Sequence, residues 1–74
     1  MTLLASIIVY PLPAGGFGAS MLDETTRQVF RREDCADLET ATRAVQALAQ
    51  RTFGSVTYQP LAKAGEYYAN VWSV

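Results

Sequence analysis

The sequence predicts an α+β domain: an antiparallel sheet of about five strands, in the order β-β-β-α-β-β, with one helix packed on one face. Three observations lead there. One central stretch repeats its apolar residues at helical spacing. Around it lie short runs rich in β-branched and aromatic residues, separated by Gly, Pro and polar turn residues. The length, 74 residues, suffices for one domain spanning 1–74 with one small core.

Leu3 to Tyr10 reads as the first strand. Leu3, Ala5, Ile7 and Val9 share one side and Leu4, Ser6, Ile8 and Tyr10 the other, so both sides are largely apolar and the strand is expected to be covered on both. Pro11 and Pro13 end its hydrogen bonding, and Ala14 to Gly18 forms a pliable connection in which glycine takes positive φ. Phe17 to Leu22 is a second strand, and Asp23-Glu24-Thr25-Thr26 has the chemistry of a four-residue hairpin loop. Arg27 to Arg32 returns as a wet outer strand, with Val29 between Arg27 and Arg31 on one face and Phe30 between Gln28 and Arg32 on the other.

The helix is expected over Leu38 to Thr52. Asp34 or Asp37 can cap it, Leu38, Ala41, Val45, Leu48 and Ala49 make its apolar stripe, and Glu39 and Arg43 form an i,i+4 pair. Arg51 suits the negative end of the helix dipole, and Gly54 suits the cap. Ser55 to Leu61 follows as a strand that Pro60 assigns to an edge or an early end. Ala62-Lys63-Ala64-Gly65 makes a turn, and Glu66 to Val74 closes the sheet, with Tyr67, Ala69 and Val71 on one face and Tyr68, Asn70, Trp72 and Val74 on the other. One helix covers one face of such a sheet. The other is solvated or used.

Composition weighs against several functions. With no histidine, general acid–base catalysis lacks its commonest agent, and a Ser or Cys nucleophile lacks its usual base, so no enzyme is expected. Cys35 reads as a small, semi-buried residue near the helix start. The chain's one cysteine cannot form an internal disulfide, and no ligand cluster suggests a metal or cofactor. Gly15-Gly16-Phe17-Gly18 lacks both the third glycine of a dinucleotide fingerprint and the helix that should follow it. The first apolar run has no Lys or Arg ahead of it and falls short of the roughly 20 residues of a membrane span. A cytoplasmic location, without membrane association, is the expectation.

Binding remains. Arginines beside Tyr67, Tyr68 and Trp72 on a small sheet are one way to hold single-stranded nucleic acid, but a net charge of −1 forgoes most of the electrostatic attraction. Arg, Tyr and Trp are also the residues enriched at protein interface hot spots. The acids Glu33, Asp34, Asp37 and Glu39 crowd at the helix start, where they serve as caps and present a negative patch. The expected partner-binding residues are therefore Arg27, Arg31, Arg32, Glu33, Asp34, Tyr68 and Trp72. A homodimer through Leu4, Ile8 and Tyr10 is a further possibility.

The strands before the helix, the helix Asp37-Leu38-Glu39-Thr40-Ala41-Thr42-Arg43-Ala44-Val45 and the aromatic hairpin from Gly54 to Val74 together resemble, as a layout, small phage-encoded anti-CRISPR inhibitors of type I systems. No residue motif carries over. The resemblance implies a stoichiometric inhibitor from a phage or mobile element that binds a CRISPR-Cas effector subunit in the host cell and blocks its access to nucleic acid. A second layout resemblance, to small antitoxins with a partial ribonuclease-H-like fold, implies a nucleic-acid-binding or regulatory module instead.

Overall fold

A computed structural model of the chain describes residues 1–63 and 66–74. Its elements are β1 (Leu3–Pro11), β2 (Phe17–Asp23), β3 (Val29–Cys35), α1 (Leu38–Phe53), β4 (Val56–Lys63) and β5 (Glu66–Ser73). The strands form one antiparallel sheet in the order β3-β2-β1-β5-β4, and α1 packs on one of its faces. The α+β class and the β-β-β-α-β-β order are those expected from the sequence.

The most apolar strand takes the central position. In β1, Ala5, Ile7 and Val9 point at the helix and are essentially inaccessible to solvent. Their register partners continue the same layer: Met21 and Ala19 in β2, Val71 and Ala69 in β5. Ala41, Val45 and Ala49, one helical turn apart, close the core from above. Alanines on both layers let the helix approach the sheet closely, and the larger volumes of Ile7, Met21, Val9 and Val71 fill the space between.

Local chemistry sets the turns. Leu12 N–H donates to Gly16 O and Gly15 N–H to Leu12 O, with Gly15 and Gly16 both at positive φ. In the β2–β3 hairpin the Asp23 carboxylate accepts from the amides of Thr25 (2.8 Å) and Thr26 (3.1 Å), which makes the loop an Asx turn. Asp37 caps α1 by accepting from Thr40 N–H at 2.8 Å, and that bond lowers its pKa. Gly54, at φ 79°, donates its N–H to Gln50 O. On the β4 side, the Tyr58 hydroxyl donates to Gln46 O and the Gln46 amide donates to the Tyr67 hydroxyl, which ties helix to sheet.

Four expectations need correction. Arg27 is not in β3: it sits in the turn at φ 63°, paired with Glu24. Glu33 and Asp34 are not part of the helix start, because β3 runs on to Cys35, and Asp37 alone caps α1. An outer strand has solvent along one side, so its charged residues keep their hydration, and a run that looks like a cap is tolerated as β structure. Ala62 and Lys63 continue β4 rather than turning, while Ala64 and Gly65 lie outside the described residues. Among the described residues nothing covers the second side of β1; Leu4, Ile8 and Tyr10 there are only half-buried.

Candidate protein-binding face

The sheet surface opposite α1 is laid out in rows set by strand register. One row runs Arg31, Ser20, Ile8, Tyr68, Leu61 from β3 to β4. The next runs Val29, Leu22, Ser6, Asn70, Gln59. Trp72 continues the β5 side of the face beyond Asn70, with Thr57 beside it. The middle of the face is apolar and half-buried through Leu4, Ile8, Leu22, Tyr68 and Trp72. Its margins mix the polar Arg31 and Gln59 with the exposed Val29 and Leu61. Neighbouring strands supply these side chains because in each the residues alternate sides, and one set is already committed to the core.

Tyr10 organises one end. Its ring lies across Gly18 so closely that a Cβ there would sit 2.6 Å from it, and its hydroxyl donates to Glu33 Oε2 at 3.2 Å. A glycine on β2 thus gives an aromatic ring a seat, and the ring reaches the outer strand. Burial, then the bond to Glu33 and that residue's charge, raise the Tyr10 pKa, while Arg31 opposes them, so the hydroxyl stays a neutral donor. Glu33 reaches this ring across a β-bulge: Ala19 pairs with Arg32 but Phe17 with Cys35, so Glu33 and Asp34 together face Gly18. At the other end, Trp72 Nε1 donates to Gln59 Oε1 at 3.0 Å, and both border a shallow hollow of about 460 Å³ with Met1 and Thr57.

The seven residues expected to bind a partner therefore divide. Arg31, Glu33, Tyr68 and Trp72 belong to the open face, with β2 and β1 between the two pairs. Arg32 is in register with buried Ala19 and so lies on the helix side of β3, where it pairs with Asp34. Arg27 is at the hairpin tip. Leu22, Leu61 and Gln59 were missed as members of the face. Strand phase alone would have found Leu22 and Leu61, once Met21 and Tyr58 were assigned to the core.

The described residues include no group of three or more His, Cys, Asp or Glu placed to hold a metal ion, and Cys35 is buried. No described helix is long and apolar enough to cross a membrane. No protein-family model, no curated protein and no solved structure matches the chain.

Proposed function

We propose that this chain is a non-catalytic protein-binding domain that lays its open sheet face against a partner protein. The observation that carries this reading is the half-buried apolar centre of that face, Ile8 and Leu22 beside Tyr68 and Trp72, with hydrogen-bonded polar groups at its margins. That is the make-up of an interface core and rim. Aromatic side chains held in place by Gln59 and Glu33 lose little entropy on docking.

The layout resemblance to phage anti-CRISPR inhibitors supplies the partner class: a subunit of a host CRISPR-Cas effector complex, with inhibition by occlusion of nucleic acid. Two measurements test the two levels separately. The wild-type chain and an Ile8→Glu/Tyr68→Glu variant, both verified as folded, are used to capture proteins from a bacterial lysate. A protein held by the wild type and lost with the variant supports the face; identical captures remove it. Expression in a strain with active type I interference should raise the plating of a targeted phage by orders of magnitude, with no rise for the variant. Unchanged plating with the wild type would end the inhibitor reading and leave the binding reading to the capture experiment.

A further inference from the structure

A helix about 10 Å across cannot span a sheet whose outer strand axes lie about 19 Å apart. On the β3 side the uncovered margin is an open groove of about 410 Å³. Phe30, Ala44 and Leu48 are among the residues of its apolar floor, and Arg32 and Arg51 border it, whereas Arg31, in register with Ser20, turns its side chain to the open face. Arg32 is held by Asp34, whereas Arg51 forms no salt bridge among the described residues. Two of the chain's six basic residues thus border one groove of a molecule whose net charge is −1.

The groove adjoins a strand able to accept a partner. β3 is an outer strand, so one row of its backbone groups has no neighbour in the sheet. The bulge at Glu33 and Asp34 disturbs only its second half; Val29 to Arg32 pair regularly with Leu22 to Ala19. This regular half is the part that borders the groove. Arginines that served only to protect an edge would lie on the edge. Arg51 comes instead from α1, three residues after Leu48 and seven after Ala44, and so shares their side of the helix.

We infer that β3 and the groove beside it take up an extended, acidic segment of a partner protein as a sixth strand. Its backbone pairs with Val29 to Arg32, and the side chains on its groove side are apolar over Phe30 and Leu48 and acidic where they meet Arg32 and Arg51. A second copy of β3 is a poor occupant, since antiparallel pairing about the centre of the regular half sets Phe30 against Arg31 and Val29 against Arg32 of the other copy and brings no carboxylate opposite either arginine. This surface is separate from the apolar centre of the open face and does not depend on it.

The probe is a displayed library of random peptides of about 12 residues, long enough for a strand of ordinary length with flanks. Enriched peptides are then synthesised with a fluorescent label and titrated by anisotropy. The expected consensus places its apolar and acidic residues together at every second position, the side that faces the groove. Arg51→Glu should weaken its binding at least about tenfold, Arg51→Gln less, and Arg32→Glu as much again. Methylating alternate peptide amides should abolish binding, and backbone amide NMR shifts should cluster at 29–32 and 44–51. Each variant is checked by circular dichroism, and Arg51→Gln remains decisive if a charge reversal fails to fold. The inference is overturned by no enrichment, by a basic or purely apolar consensus, by affinity indifferent to Arg51, by shifts centred on Ile8 and Tyr68, or by tighter binding of a single-stranded oligonucleotide.

Discussion

Gly16 shows how one position can be readable as a turn and unreadable as a contact. Its φ of 78° is one that an L side chain adopts only with strain, and a Cβ there would come within 2.7 Å of the Cys35 carbonyl oxygen. Gly15 has a φ of 102° but open space around it. Gly16→Ala should therefore cost about 1–3 kcal/mol in urea unfolding, and more than Gly15→Ala, which meets the backbone strain alone. Equal losses would mean that the close approach to Cys35 is not what requires glycine. The sequence shows the turn because paired glycines are a local signal; the Cys35 carbonyl arrives from β3, and no local pattern announces it. Arg27 was misplaced for the complementary reason. Nothing in an arginine's chemistry marks a positive φ, so it read as the start of the strand it precedes.

Among the elements, α1 was the most legible, its predicted end at Thr52 lying one residue short of Phe53. Apolar period, Asp37 and Gly54 all act within the helix itself and agree with one another. The outer strand β3 was the least legible, because a strand exposed along one side needs no particular residue pattern and its bulge depends on β2. The joint between helix and sheet was also hidden. Tyr58 read only as a strand residue, yet its hydroxyl donates to Gln46 O at 2.8 Å and fixes the β4 end of the sheet under α1. Burial, and secondarily Tyr67, raise the Tyr58 pKa above its ordinary 10.0. The unfolded chain ionises at the ordinary value, so this contribution to stability is complete below pH 10 and is lost as pH rises through the higher folded value. Tyr58→Phe should cost about 1 kcal/mol at neutral pH. The gap between wild type and variant should then narrow above pH 10. A gap that stays constant to higher pH would show that the hydroxyl is no better held in the folded chain than in the unfolded one.

For the molecule as a whole, five strands and one helix leave the two sides of the central strand in different states. The first strand's apolar residues on both sides led to the expectation of two covers, and the helix supplies one. Strand order decides which residues form the uncovered side, and order was not legible, because β1 and β5 come from opposite ends of the chain and pair only in the finished fold. Ile7 and Ile8 are adjacent, chemically identical, and on opposite sides of this arrangement. Ile7, 2% exposed beneath α1, should cost about 2–5 kcal/mol when truncated to alanine, a large share of the stability of a domain this small. Ile8→Ala leaves no closed cavity and removes fewer contacts, so it should cost less than about 1 kcal/mol in the free chain. Urea unfolding of the two variants, at protein concentrations varied over about 100-fold, decides the matter. A small cost for Ile8→Ala that does not change with concentration leaves the face available to another protein. A cost that approaches that of Ile7→Ala and grows with concentration would mean that a second copy already covers the face, and would transfer Leu4, Ile8 and Tyr10 from a partner surface to a dimer core.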